Sequence, residues 1–243
     1  MNVVITMAGF GRRFQEAGYT QPKYEIEVAG RSLLEWSMSS LTDFIGEDHR
    51  WIFISRRETN APQFVRQTMT KLGQHDVEFV ELEAPTDGQA TTAMEARGHW
   101  QADEPMFVFN IDTYVEPGQV RAAQMQGDGC IPCFHAPGNH WSFVRTDGAG
   151  RVVEVREKDR ISDNCSVGAY YFSSCRLFED AYKAYFSHEH PELKERYIAP
   201  IYGSLLEQGR LVTMTLLDAA KVHALGTPEE VEAFRLQNVS PTP

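Results

Sequence analysis

The first half of this 243-residue chain alternates short apolar runs with helical patterns. The apolar runs predict strands over residues 2–6, 51–55, 77–81 and 106–109. The segments between them predict helices over about 32–45, 61–73 and 91–98, the first of which begins with Ser32 and Glu35 in capping-box spacing. Strands that alternate with helices through short connections favour a mostly parallel sheet with helices on both faces. The first half therefore predicts a Rossmann-like α/β fold.

The second half is less regular. It predicts strands over 129–135, 141–146, 151–156 and 166–172, with turn residues between them, which is typical of an antiparallel ribbon added to the sheet. The rest predicts helices over 175–187 and 193–208, strands over 211–217 and 220–225, and a last helix capped by Thr227. No linker or repeat divides the chain, so we expect one domain over 1–243. A frayed tail is expected from Ser240 to Pro243.

Charge and composition exclude several classes of protein. The net charge is −11, whereas a nucleic-acid-binding protein normally has a basic excess. No apolar stretch reaches the roughly 18 residues of a membrane span, and no leader pattern is present. We therefore expect a cytoplasmic protein that binds neither nucleic acid nor membranes. Cys130 and Cys133 have the spacing of a metal or redox pair, but three residues along a strand they face opposite sides, which favours structural thiols.

A glycine-punctuated basic loop, Gly9-Phe10-Gly11-Arg12-Arg13-Phe14, follows the first strand, and Lys23 stands behind Pro22. Glycines let backbone N–H groups approach an anion, and nearby cations neutralise it. The loop lacks the Gly-Lys-Ser/Thr ending of a Walker motif, and Phe14 replaces the third glycine of a dinucleotide fingerprint. It predicts a nucleotide-phosphate cradle, with Ala8, Gly9, Gly11 and Arg12 contacting the nucleotide.

Three later segments carry further candidate residues. Gly88-Gln89 precedes a helix, where a base could lie against the backbone, although a simple turn at a helix start explains the glycine as well. Asp112 follows the buried run 106–109, where ligands bind in open α/β sheets, and one carboxylate plus phosphates is a typical Mg²⁺ site. An ordinary turn closing the strand is the alternative. Lys158, beside Glu157, could hold a second phosphate as a point charge.

In this order, the segments resemble the sugar-phosphate nucleotidyltransferases, also called nucleotide-sugar pyrophosphorylases, over nearly the whole chain. The resemblance implies a nucleotide-binding half over about 1–115 and an acceptor-binding half over about 116–238. It also implies roles for single residues. Arg13 and Lys23 would be catalytic, Gly88 and Gln89 would contact the nucleotide base, Asp112 would bind Mg²⁺, and Asn110, Glu157, Lys158 and Gly168 would contact substrate.

One departure concerns the metal. Many members have an aspartate two residues before the Gly-Thr pair as a second ligand, and this chain has Ala224 there. The metal would then be held by Asp112, water and phosphates alone, or Asp218 or His223 would take part. The chain also ends soon after its last helix, which implies a compact member without the C-terminal β-helix domain that some members carry.

The implied reaction is attack by an acceptor phosphate on the α-phosphorus of a nucleoside triphosphate, with release of pyrophosphate. The acceptor phosphate has a second pKa of about 6, so no general base is required. Arg13 would stabilise the β- and γ-phosphates, Lys23 the α-phosphate, and Lys158 the acceptor phosphate. The expected product is a precursor of surface polysaccharides or glycoconjugates.

Two other functions are the alternatives: a nucleotide-sugar-dependent glycosyltransferase and a non-catalytic nucleotide-sugar-binding protein. An exposed sheet edge could also pair two copies of the chain in a homo-oligomer.

Overall fold

The computed structural model describes residues 1–46 and 48–238. Its strands are β1 (Asn2–Thr6), β2 (Glu27–Val28), β3 (Arg31–Ser32), β4 (Arg50–Arg56), β5 (Val77–Leu82), β6 (Met106–Asn110), β7 (Thr113–Val115), β8 (Gly129–His135), β9 (Ser142–Thr146), β10 (Val152–Glu157), β11 (Asn164–Ser166), β12 (Ala169–Phe172), β13 (Val212–Leu216) and β14 (Val222–Ala224). Its α-helices are α1 (Arg12–Glu16), α2 (Leu33–Ser39), α3 (Ala61–Lys71), α4 (Gln89–Met94), α5 (Cys175–Tyr185), α6 (Tyr202–Glu207) and α7 (Pro228–Asn238).

A large mixed sheet runs through both halves of the chain, in the order β10-β9-β11-β8-β12-β6-β1-β4-β5, with β13 beside β8. Strands β6, β1, β4 and β5 are parallel neighbours. Strand β12 joins β6 to β8 through antiparallel pairs, and β11, β9 and β10 continue the antiparallel part. The predicted α/β class, a Rossmann-like sheet with an added antiparallel ribbon, is confirmed.

The central strand β1 shows that helices cover both faces of the sheet. Val3 and Ile5 pack in one buried cluster with residues of α2 and α3. Val4 points to the other face and packs in a second cluster with residues of α4, α5 and α6. Successive side chains of a strand point to opposite faces, so an uninterrupted apolar run is what a strand buried on both faces requires.

Several predicted local features are confirmed. Ser32 Oγ accepts a hydrogen bond from Glu35 N at 3.1 Å, and Thr227 Oγ1 accepts one from Glu230 N at 3.2 Å, so both helices have side-chain caps. Cys130 and Cys133 are buried on β8 and belong to clusters on opposite faces of the sheet. The tail predicted from Ser240 onward lies outside the described residues.

The prediction of a helix over 193–208 is wrong for the first half of that range. A 3-10 turn at Ala199–Ile201 leads into α6, which begins only at Tyr202. Before it, Arg196 N donates to Asp87 O at 2.9 Å, and Arg196 O accepts from Ala90 N at 2.8 Å. These backbone groups bond a distant loop and are therefore not available for helical hydrogen bonds.

Two other predicted elements are shorter in the structure, and some short ones were not predicted. The strand predicted over 166–172 is interrupted at Gly168, which has a φ of 79°. The helix predicted over 32–45 ends at Ser39, whose hydroxyl donates to Trp36 O at 2.7 Å and competes with the next helical bond. The sequence interpretation missed α1, the β2–β3 hairpin and β7. In the described part of the chain, no helix is both long enough and apolar enough to cross a membrane.

Candidate functional site

The candidate site lies along one edge of the sheet. Because β1, β4, β5 and β6 are parallel, their carboxyl ends meet at the same edge, and ligands of open α/β sheets bind in the crevice there. The basic loop follows β1, Gly88 and Gln89 follow β5, and Asp112 follows β6. The topology therefore brings the predicted nucleotide-contacting segments to one edge.

The basic loop turns into α1 at Gly11, whose φ of 63° lies in the left-handed region that favours glycine. Phe14 anchors α1 because its side chain is buried with Ile26, Val28 and residues of α7. Arg12 and Arg13 remain exposed on the first turn. The loop thus presents two cations to solvent from a fixed backbone.

A third arginine, Arg56 at the end of β4, also belongs to this region. Its guanidinium carbon lies 4.5 Å from the centre of the Phe10 ring, and that of Arg12 lies 5.2 Å from the same ring. The sequence interpretation missed Arg56, since nothing in its neighbourhood along the chain distinguishes it from the other arginines of the sequence. Only the parallel pairing of β1 with β4 places it beside the loop.

Lys23 and Asp112 form an ion pair. Lys23 Nζ lies 2.6 Å from Asp112 Oδ1, the Lys23 side chain is only 10% exposed, and that of Asp112 is 51% exposed. The backbone of Asp112 is held on both sides, because its N donates to Asn110 Oδ1 at 3.3 Å and its O accepts from Leu225 N at 2.6 Å. The predicted phosphate lysine and the predicted metal carboxylate are therefore direct neighbours.

The two residues considered as replacement metal ligands are engaged elsewhere. Asp218 caps a 3-10 turn by accepting from Ala220 N at 3.0 Å. His223 stacks on Tyr114 and lies 3.8 Å from Glu116, and burial lowers the pKa of its imidazole although Glu116 partly opposes this. Residues 1–46 and 48–238 contain no group of three or more His, Cys, Asp or Glu side chains that could hold a metal. The half-exposed Asp112 fits a Mg²⁺ ion that takes its other ligands from phosphates and water.

The structure explains why a glycine is required at position 88, in the loop before α4. A Cβ on Gly88 would lie 2.4 Å from Arg196 N, and its φ of 152° is strained for any other residue. Gln89 Nε2 donates to Thr6 Oγ1 at 3.1 Å, which ties the start of α4 to the end of β1. Close approach of Arg196 thus accounts for the glycine, and contact of Gly88 and Gln89 with a base stays a prediction.

Asn110 and Gly168 join the two halves at the centre of the sheet. Asn110 N donates to Gly168 O at 3.3 Å, and a Cβ on Gly168 would lie 2.1 Å from Asn110 Nδ2. No larger residue fits at this point without moving Asn110. The end of β6 and the start of β12 are therefore held in direct contact.

Glu157 and Lys158 lie in the second half, at the end of β10. The Glu157 side chain is only 7% exposed, and Ser142 Oγ donates to its carboxylate. Burial raises the pKa of Glu157, and the Ser142 hydroxyl and the Lys158 ammonium only partly oppose this. Lys158 Nζ lies 3.5 Å from Glu157 Oε1 and donates to the Tyr197 hydroxyl at 2.6 Å. The structure thus places Glu157 and Lys158 in contact with each other and adds Tyr197, which the sequence interpretation placed within a helix; contact of Glu157 and Lys158 with substrate stays a prediction.

Comparison with solved structures identifies relatives. No protein-family model matches the chain. A nucleoside-diphosphate-sugar pyrophosphorylase from Vibrio cholerae matches with a TM-score of 0.89 and 33% identity, over 98% of this chain and 100% of that one. An inositol-1-phosphate CTP transferase from T. maritima shares the fold, with a TM-score of 0.76, 13% identity and coverage of 100% and 97%. A Bacillus anthracis protein assigned as a glucose-1-phosphate thymidylyltransferase also shares the fold. Its TM-score is 0.77, its identity is 14%, and the match covers 100% of this chain and 98% of that one.

The Vibrio cholerae match covers 98% of this chain and therefore spans both of its halves. Identity of 33% over nearly the whole length of both sequences indicates a common family as well as a common fold. The chain belongs to the sugar-phosphate nucleotidyltransferases, the family of the nucleotide-sugar pyrophosphorylases.

Proposed function

We propose that this chain is a Mg²⁺-dependent nucleotidyltransferase that moves a nucleoside monophosphate from a nucleoside triphosphate onto a sugar phosphate or a related small phosphorylated acceptor, releasing pyrophosphate. The observation that carries the proposal is the contact of Lys23 with Asp112 beside the basic loop. Lys23 provides a cation for a phosphate, and Asp112 beside it provides a carboxylate for a metal ion. The names of the Vibrio cholerae and T. maritima proteins refer to the same class of reaction.

Catalysis in this proposal rests on alignment and charge. The acceptor phosphate is mostly dianionic near neutral pH, since its second pKa is about 6, and it attacks without a base. Lys158 holds that phosphate, while Arg13 and Lys23 neutralise the triphosphate as pyrophosphate leaves. The backbone of Ala8, Gly9 and Gly11, with Arg12, cradles the phosphates. Asp112, together with phosphate oxygens and water, would hold Mg²⁺, and the ion would supply further neutralisation of the phosphate charge.

The ion pair has a consequence for binding. While its ammonium stays 2.6 Å from Asp112, the charge of Lys23 is partly neutralised before any phosphate binds, and the same positive charge weakens the attraction of Asp112 for a metal ion. Nucleotide and Mg²⁺ therefore bind together at the expense of this contact. The exchange replaces one opposite-charge neighbour of each side chain by another, so neither charge is left without a partner.

We also propose that the whole chain acts as one domain, with the nucleotide bound mainly by residues 1–115 and the acceptor by 116–238. Support comes from the sheet, which runs continuously from β5 in the first half to β10 in the second. A cytoplasmic enzyme that supplies activated precursors for surface glycans fits this reaction. Edge strand β10, where Val153 is 48% exposed, offers a place for two copies to pair.

The test combines the protein and Mg²⁺ with each of the common ribonucleoside triphosphates or the thymidine form, together with a panel of sugar phosphates and phospho-alcohols. We expect pyrophosphate release with one preferred pair. Arg13→Ala should lower the rate on the order of 10²–10³. Arg235→Ala is the control, because Arg235 pairs with Glu232 on the exposed side of α7 and should leave the rate unchanged.

Two results would contradict the proposal. Release of a nucleoside diphosphate from a nucleotide sugar, without pyrophosphate, would indicate a glycosyltransferase. Thermal stabilisation by nucleotide sugars without any turnover would indicate a binding protein.

A further inference from the structure

Arg196 and Tyr197 are adjacent residues: the Arg196 side chain contacts Asp87 of the first half as well as α5, and the Tyr197 side chain contacts Lys158 of the second half. They precede Ile198, which is fully buried and fixes this segment in the core. Arg196 reaches the loop before α4, and Tyr197 reaches Lys158. The segment therefore connects the candidate nucleotide site to the candidate acceptor site.

The contacts of Arg196 hold the segment on the nucleotide side. Its backbone exchanges two hydrogen bonds with the loop at Asp87 and Ala90, and its Nε lies 3.0 Å from Asp87 Oδ2. Arg196 Nη1 also donates to the Tyr182 hydroxyl at 2.8 Å, and that hydroxyl lies 3.0 Å from Thr91 Oγ1. Main-chain and side-chain bonds together give this segment a defined position relative to α4.

The contacts of Tyr197 hold the acceptor lysine. Lys158 Nζ donates to the Tyr197 hydroxyl at 2.6 Å and lies 4.3 Å from the centre of the ring. Lys158 itself has a φ of 56°, and its N donates to Trp141 O at 2.9 Å, so its backbone direction is fixed. A lysine side chain is long and flexible, and a specific partner is needed to keep its ammonium in one place.

We propose that Tyr197 is a positioning residue that holds the Lys158 ammonium where it meets the acceptor's phosphate. Since Arg196 is bonded to the nucleotide loop, the same segment sets the spacing between the acceptor phosphate and the nucleotide. The inference rests on the proposed function, which assigns the acceptor phosphate to Lys158. The inference adds Tyr197 to the candidate site. Within the described part of the chain, this side chain contacts Lys158 and contacts neither the basic loop nor Asp112.

The test is Tyr197→Phe, which removes the hydroxyl and keeps the ring. A hydrogen bond to a charged group is lost, so the KM for the acceptor should rise about tenfold, while the KM for the nucleoside triphosphate stays within a factor of about two. The control is Tyr185→Phe. Tyr185 stacks on His190 at 4.1 Å through its ring, and loss of its hydroxyl should leave both KM values unchanged.

A second readout needs no turnover. Burial lowers the pKa of Lys158, but the Tyr197 hydrogen bond and the Glu157 charge outweigh it, and the pKa is raised overall. Acetic anhydride labels only the neutral amine, so labelling of Lys158 followed by mass spectrometry reports this pKa in the free protein. In Tyr197→Phe, labelling should set in at lower pH than in the parent, with the melting temperature little changed.

Each outcome has a distinct meaning. An equal acceptor KM and an equal labelling profile in parent and Tyr197→Phe would overturn the role of Tyr197, while turnover by the parent would still support the proposed function. An equal rise in acceptor KM for Tyr185→Phe would also overturn it. If the parent turns over no pair, the proposed function fails, and an unshifted labelling profile would separately refute the Tyr197 contact.

Discussion

Lys23 and Asp112 show how much one contact between two residues contributes to this site. The sequence interpretation assigned them separately, one to a phosphate and one to Mg²⁺, and the structure joins them at 2.6 Å. Each side chain is a counter-ion for the other until a ligand arrives. The cluster therefore combines two opposite charges, both of which the proposed reaction uses.

Replacing Lys23 by alanine tests this arrangement. Lys23→Ala should lower the transfer rate on the order of 10²–10³, because a charge that neutralises phosphate is lost. The same change frees Asp112, so Mg²⁺ alone should bind more tightly than to the parent, as measured by calorimetry without nucleotide. Lys71→Ala, at an exposed lysine paired with Glu35, is the control and should change neither quantity. Unchanged Mg²⁺ binding in Lys23→Ala would refute the competition.

Glu157 provides a prediction about pH. Burial raises its pKa above the ordinary value of 4.5, so the folded state binds this proton more tightly than the unfolded state. The charged carboxylate therefore opposes folding at pH values above 4.5. Glu157→Gln should melt higher than the parent near neutral pH, and the difference should vanish at about pH 4, where the parent is protonated as well.

The control for this prediction has the opposite sign. The pKa of Glu232 is lowered by its hydrogen bond with Arg235, so Glu232→Gln should give no gain at neutral pH. The test compares the melting temperatures of the two variants with that of the parent between about pH 4 and 8. A constant difference between Glu157→Gln and the parent across this range would show that burial of the charge is not the cause.

At the scale of elements, the loop before α4 and the segment before α6 determine each other's shape. Arg196 bonds the loop through its backbone, and this contact is possible because Gly88 has no side chain. The same contact removes the first half of the helix predicted over 193–208. Local propensity is a weak preference, and two backbone hydrogen bonds with a distant partner override it.

Gly88→Ala is the corresponding prediction. The added Cβ would meet the backbone of Arg196 and the residue would keep an unfavourable φ, so we expect a loss of stability of about 2 kcal/mol or more. For a chain of this size, that is a fall in melting temperature of about 4–8 °C. Gly98→Ala, where a Cβ meets nothing within 4 Å, is the control and should stay within about 0.5 kcal/mol of the parent. Equal melting temperatures of the two variants would contradict the packing argument.

At the scale of the whole molecule, the sheet carries both halves of the candidate site. Strand β12 pairs with β6 of the first half and with β8 of the second, so the residues proposed to bind the nucleotide and the acceptor stand on one continuous sheet. The segment with Arg196 and Tyr197 makes a second connection between the halves. Binding at either end is therefore expected to stabilise the protein as a unit.

A thermal-shift experiment tests this expectation. Nucleoside triphosphate with Mg²⁺ at about 100 times Kd should stabilise the folded protein by about 2.7 kcal/mol, which corresponds to about 5–10 °C. Chelation of the metal should reduce the shift, and Asp112→Asn should abolish its dependence on Mg²⁺. An identical shift with and without a chelator would contradict the assignment of Asp112 to the metal.

The sequence by itself determined the fold class, most strands, two helix caps and the order of the candidate residues. These features depend on apolar periodicity, capping and glycine spacing, which are local patterns within a few residues. Arg13 was found in this way because it stands in a glycine-punctuated loop after the first strand, and Gly88, Asp112 and Lys158 because each stands at the end of a predicted strand or before a predicted helix.

Only the tertiary structure decided which side chains meet. The Lys23–Asp112 pair, the place of Arg56 beside Phe10, the meeting of Gly88 with Arg196 and the bond of Lys158 to Tyr197 all join residues far apart in the chain. Such contacts depend on strand order and on the close approach of backbones, which no short stretch of sequence specifies. The sequence therefore identified the chemical groups, and the packing of the sheet determined their partners.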